Sequence, residues 1–65
     1  MISYQEARRL VRVLADQRIH ISIHMVRRRI RVSRPVAKRL LRELEWEGVV
    51  GPPSPGGTRE VLSHA

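Results

Sequence analysis

Cysteine and phenylalanine are absent from the 65 residues, and Tyr4 and Trp46 are the only aromatic side chains. Without thiols there is no disulfide framework and no cysteine-based zinc site to hold a small domain together. Two aromatics make no stacking platform for single-stranded nucleic acid, which disfavours an RNA or ribosome role. No apolar run approaches the roughly 18 residues of a membrane span, and the chain start lacks the apolar centre of a signal peptide. The expectation is a cytoplasmic chain that makes no membrane contact. The features of an enzyme are missing as well. There is no Gly-x-x-x-x-Gly-Lys-Ser/Thr loop, no carboxylate pair and no Ser/His/Asp set. His20 and His24 lie four apart, but a helix starting between them need not put them on one face, and no third ligand is near. The sequence reads as a non-enzyme with no cofactor and no metal.

Acids are scarce too. Six Asp plus Glu against thirteen Lys plus Arg leave a formal charge of +7 and a pI near 11.7. On one small domain this charge points to nucleic acid or another anionic surface. Arginine outnumbers lysine twelve to one, which suits bidentate contacts to phosphate and guanine. A GC-rich coding sequence produces the same ratio, so the net charge carries the inference. Hydrophobic content is 42 % and regularly spaced, so the chain folds as one domain, with a core burying only about 60 % of the unfolded surface.

Taken in order, Ser3-Tyr4-Gln5-Glu6 is a capping-box pattern that opens a first helix over about 4–17. Its expected buried stripe is Tyr4, Ala7, Leu10, Val11 and Leu14. Arg8, Arg9 and Arg12 lie outside, where phosphate contact and plain solvation are equally open. Arg18 to Ile21, with Ile19 and Ile21 alternating around His20, suits a brief strand. Ser22 caps a second helix over about 23–31, with Ile23, Val26 and Ile30 inward and Arg27, Arg28, Arg29 and Arg31 around them. Apolar residues on both sides of the three consecutive arginines favour an ordered helix over a localisation signal.

The organising stretch is Val32 to Glu47, VSRPVAKRLLRELEWE. Ser33 is the N-cap, and Pro35 falls in the first turn, where its missing amide donor does no harm. Over a helix of about 34–47, Val36, Ala37, Leu40, Leu41 and Leu44 gather on one side, while Pro35, Lys38, Arg39 and Arg42 gather on the other. Cations hold its N-terminal part and Glu43, Glu45 and Glu47 its C-terminal part, the reverse of what the helix dipole favours. That order suits an N-terminal end that meets phosphates. The competing reading is a solvated face with Arg42–Glu45 and Arg39–Glu43 pairs. Gly48 supplies the residue that ends the helix. Val49 and Val50 start a strand and Thr58 to Leu62 return it, with a proline- and glycine-rich tip between them in which Gly56 and Gly57 permit positive φ. The wing spans about 49–62, and Ser63, His64 and Ala65 form a frayed end. A tight turn at Arg31-Val32-Ser33 between two helices, followed by a hairpin, is a winged helix-turn-helix: mainly α, three helices plus a two- to three-stranded wing sheet.

Several segments then resemble a known family. They are Ile21-Ser22-Ile23, Val26 to Val32 (Val-Arg-Arg-Arg-Ile-Arg-Val), Ala37-Lys38-Arg39-Leu40-Leu41, Glu45 to Pro52 (Glu-Trp-Glu-Gly-Val-Val-Gly-Pro) and Arg59-Glu60-Val61-Leu62. The sequence resembles the C-terminal gamma domain of the FtsK/SpoIIIE DNA translocases over about residues 3 to 62. The resemblance implies a winged helix that reads short G-rich motifs in duplex DNA and orients a hexameric motor during chromosome segregation. It also implies side-by-side assembly of such domains on one motif and contact with a site-specific recombinase. Family members carry Gly-Tyr-x-Arg-Ala-Ala-Arg through the turn and early third helix, often with Asn at x. Here the stretch is Ser33-Arg34-Pro35-Val36-Ala37-Lys38-Arg39. Arg39 retains the contacting arginine, Pro35 stands at the Asn position and Arg42 where an acidic reader is common, so a changed or relaxed preference is expected. The chain itself holds no motor, and both an excised domain and a free-standing relative fit its length.

The residues expected to meet DNA are Lys38, Arg39 and Arg42 at base edges and nearby phosphates, Arg28, Arg31, Ser33 and Arg34 at the backbone, and Arg59 at the wing shoulder. The rival expectation is a protein-interaction module in which the wing and Trp46 dock a recombinase, motor or transcription partner. Trp46, one turn beyond Arg42, either packs against the wing or anchors such a partner.

Overall fold

A computed structural model describes residues 2–62; the expected frayed end at Ser63 to Ala65 lies outside them. The chain forms α1 (Tyr4–Asp16), β1 (His20–Ser22), α2 (Ile23–Ile30), α3 (Arg34–Trp46) and β2 (Thr58–Glu60), a winged helix-turn-helix. Each helix starts at a serine whose hydroxyl accepts the amide three residues on. The Glu6 N–H donates to Ser3 Oγ at 3.1 Å, the Met25 N–H to Ser22 Oγ at 3.3 Å and the Val36 N–H to Ser33 Oγ at 3.4 Å. Each bond satisfies one of the amides that a helix start leaves without an intrahelical partner.

The two helices of the motif are joined by an unusual residue. Arg31 caps α2 in the left-handed region (φ 62°, ψ 50°), with its N–H donating to the Arg27 carbonyl. A β-carbon there costs about 1–2 kcal/mol relative to the right-handed form, and glycine is the usual occupant. At the other end, α3 closes with a Schellman motif: the Gly48 N–H donates to Glu45 O at 3.0 Å and the Val49 N–H to Leu44 O at 2.9 Å. Gly48 carries φ +80°, and the accompanying apolar pair, Leu44 and Val49, is buried.

The sheet pairs β1 with β2 antiparallel, in the register His20↔Glu60, Ile21↔Arg59 and Ser22↔Thr58. The expected hairpin strand at Val49 and Val50 is reduced to a single bridge, Val50↔Val61. Its backbone bonds continue at Gly51 N–H to Glu60 O and Ser54 N–H to Thr58 O, both 2.9 Å. Pro52 and Pro53 between them have no amide to donate, which interrupts the ladder. The tip turns at Ser54-Pro55-Gly56-Gly57, closed by the Gly57 N–H on Ser54 O at 2.8 Å; only Gly57, at φ +86°, uses positive φ. The first strand sits later than expected because the Arg18 N–H still donates to Ala15 O at 3.1 Å. Ser22, in extended conformation, both ends the strand and caps α2.

The core unites Ala7, Val11, Leu14 and Ala15 of α1, Ile21, Val26 and Ile30, the α3 face Ala37, Leu40, Leu41 and Leu44, and Val49, Val50 and Val61. Leu10, expected in the α1 stripe, is exposed and Ala15 is fully buried. The buried row follows Ala7, Val11 and Ala15 at four-residue steps, and two alanines let α1 approach closely. Ile19 is exposed although Ile21 is buried, because Ile19 precedes the strand. A β-carbon at Gly48 would meet nothing within 4 Å, so backbone strain alone sets the cost of filling it. Gly48→Ala is expected to destabilise the domain by about 1 kcal/mol in thermal or urea unfolding; an unchanged midpoint would contradict the left-handed cap.

Candidate nucleic-acid interface

Four of the six acids of this chain pair with its own arginines. From the C-terminal half of α3, Glu43 reaches Arg8 Nε at 3.4 Å and Arg39 Nε at 3.7 Å, while Glu47 pairs with Arg8 at 3.4 Å and with Arg12. Glu45 takes Arg59, whose Nη1 stands 2.6 Å from Oε1, and Glu6 takes Arg9 at 3.4 Å within α1. Exposed pairs of this kind contribute little each, about 0.2–1 kcal/mol. They do neutralise the arginines of α1 and the sheet. The even choice at Arg8, Arg9 and Arg12 between phosphate contact and solvation thus has a third outcome, ion pairing.

Arg27, Arg28, Arg29, Arg31, Arg34, Lys38 and Arg42 are exposed, and none has an ion-pair partner among the described residues. They lie on α2, the turn and the outer face of α3. Arg28, Arg31 and Arg34 come together around one shallow concavity with Arg27, His24, Ile23 and Val32. Lys38, Arg39 and Arg42 line a second with Pro35, Glu43 and Trp46. Every expected phosphate or base contact on the helix-turn-helix except Ser33 falls in one of these two groups. Ser33 is exposed between them, its hydroxyl held by the α3 cap. Of the two solvated pairs that the sequence offered, Arg39–Glu43 forms and Arg42–Glu45 does not.

Arg39 differs from its neighbours. Its guanidinium carbon lies 5.0 Å from the centroid of the Tyr4 ring and its Nε faces Glu43, so α1 and α3 together orient it. Beneath it the buried Tyr4 hydroxyl lies beside the Glu43 carboxylate. Burial first, and then the neighbouring Glu43 carboxylate, raise its pKa above the ordinary 10.0, against the opposing pull of Arg39 and Arg8.

Two expectations are corrected. Arg59, expected at the wing shoulder, is only 8 % exposed and points inward, donating to Glu45 and at 3.2 Å to the Gly51 carbonyl. The alternation that exposes Glu60 buries its neighbour, and the wing from residue 49 to 58 carries no charged side chain at all. Trp46 does not pack on the wing; it is 75 % exposed. The contacts expected from the sequence omit Arg27 and His24, which line the same concavity as Arg28, although helical spacing puts all three on one side of α2. Tyr4 as the support of Arg39 had no signal, being 35 residues away in the chain.

No described helix is long and apolar enough to cross a membrane. Comparison with protein-family models, curated proteins and solved structures finds no match for the chain.

Arg59→Ala is expected to destabilise the domain by about 1–3 kcal/mol, because it strips a partly buried carboxylate and a buried carbonyl of their donor. DNA affinity measured well below the melting temperature should be unaffected, and a selective loss of affinity would restore Arg59 to the interface. Tyr4 contributes a pH dependence of definite sign. Its folded-state pKa is raised, so the folded state holds the proton more tightly; stability is full below pH 10 and falls as pH rises through the folded value. Tyr4→Phe should remove that part of the alkaline slope in unfolding measured from pH 8 to 11, and an identical slope in both proteins would refute it.

Proposed function

We propose that this domain is a sequence-preferring double-stranded DNA-binding module, with α3 in the major groove and α2 across the backbone. The observation that carries this reading is the division of charge. Glu6, Glu43, Glu45 and Glu47 engage the arginines of α1, the sheet and Arg39, leaving seven cations of the helix-turn-helix without an ion pair among the described residues. Solvated cations on a charged polymer release counterions, whereas paired ones first have to break an ion pair. The docking of such motifs places the second helix at base edges and the first on phosphates.

Lys38 and Arg42, unpaired on the outer face of α3, read base edges, and Arg39 joins them in the orientation set by Tyr4 and Glu43. Arg28, Arg31 and Arg34 hold phosphates from the α2 side. The strained Arg31 supports this: a left-handed cap usually given to glycine is occupied by a cation beside Arg27, Arg28 and Arg34. The wing takes no part through Arg59. Following the resemblance to the gamma domains, the module serves a DNA translocase or a site-specific recombinase in chromosome segregation, at the nucleoid, with side-by-side copies on one motif.

Anisotropy titrations of labelled random and G-rich duplexes at two salt concentrations test the reading. Duplex binding should fall steeply with salt, and single-stranded DNA and RNA should compete poorly. Arg28→Ala should weaken every duplex alike and reduce the salt slope by about one, whereas Arg42→Ala should cost about 1–3 kcal/mol on the preferred sequence and less elsewhere. Arg31→Gly separates the roles of its residue, since it relieves backbone strain while removing a cation; unfolding stability is expected to hold or rise by up to about 1 kcal/mol as DNA affinity falls. Salt-insensitive binding, or equal binding of all nucleic acids, would overturn the proposal.

A further inference from the structure

Trp46 is the chain's sole tryptophan, and it stands in the last turn of α3 with three quarters of its surface in water. A single exposed apolar side chain is ordinary; its surroundings here are not. The indole shares its concavity with Pro35, Lys38, Arg39, Arg42 and Glu43. At helical spacing Pro35, Lys38, Arg39, Arg42 and Trp46 fall within a sector of about 100°, forming one stripe along the outer face. The only carboxylate beside them, Glu43, is engaged by Arg8 and Arg39.

The length of this stripe gives Trp46 its place. From Pro35 to Trp46 it runs about 16 Å at 1.5 Å per residue, whereas the major groove is about 12 Å wide. A helix entering N-terminus first therefore meets base edges with its early turns and the groove wall with its last. The wall is deoxyribose and phosphate. We propose that Trp46 is a DNA-backbone contact, its ring lying against a deoxyribose and its Nε1–H donating to a phosphate oxygen. The three flanking cations select an anionic polymer as the occupant over the apolar groove of a protein partner. The inference rests on α3 facing DNA, and it makes the end of that helix a sequence-independent anchor.

The test uses the intact protein and a labelled random-sequence duplex. Acrylamide, a neutral quencher, should reach Trp46 freely in the unbound protein and be excluded from it at saturating duplex. Trp46→Ala should bind about tenfold more weakly, by the same factor on every duplex sequence. Trp46→Phe, which keeps a ring and loses the donor, should fall between the two. Circular dichroism should show all three proteins equally folded, as expected for an exposed position. Unchanged quenching at saturation, or wild-type affinity in Trp46→Ala, overturns the assignment and hands the indole to a protein partner. If that happens while Lys38→Ala and Arg42→Ala still weaken binding, the DNA reading stands without Trp46. If the wild-type protein binds no duplex, both fall together.

Discussion

Burial of one face of α3 is the constraint on which the rest of this small domain depends. Ala37, Leu40, Leu41 and Leu44 are all buried, and α1, α2 and the two valines after Gly48 close over them. A helix fixed by its apolar side presents its opposite side to solvent at a set rotation. The orientation of Lys38, Arg42 and Trp46 is thus a consequence of core packing. With no cysteine there is no disulfide to assist, so the capping serines and the Schellman closure matter more than they would in a larger protein.

Charge follows from the same geometry. The acids of α3 sit where the helix dipole least favours them, and the tertiary structure supplies the reason. Glu43 and Glu47 face the arginines of α1, and Glu45 faces Arg59 from the sheet. One helix thereby divides its work along its length. Its carboxylates tie α1 and the wing to it, while Arg34, Lys38 and Arg42, with the arginines of α2, stay without ion pairs among the described residues. Weak surface pairs, each worth little in stability, have their effect in deciding which part of the molecule stays positive.

Arg31 and Arg39 show two ways the basic face departs from simple stability. Arg31 occupies a backbone conformation that glycine adopts more easily. Arg39 is held between the Tyr4 ring and Glu43, which buries the Tyr4 hydroxyl and raises its pKa. Both departures lie at, or directly beneath, the face proposed to meet DNA.

Local chemistry was legible in the residues themselves. Ser3, Ser22 and Ser33 mark helix starts, Gly48 marks an end, and helical period alone separates the buried side of α3 from its basic side. These features depend on neighbours within about four residues, so a linear reading reaches them. Helical period equally placed Arg28, Lys38 and Arg42 outside the core. It did not reveal that Arg59 turns inward, that Ala15 replaces Leu10 in the α1 stripe, that Trp46 stays uncovered, or that Tyr4 supports Arg39. Each of those depends on which distant segment packs alongside: Glu45 against Arg59, α1 against α3, the wing away from Trp46. Where helices begin and which of their sides is apolar can be read along the chain, because those are short-range effects. Which charges cancel and which remain depends on the packed fold, because ion pairs form between elements that the chain order keeps far apart.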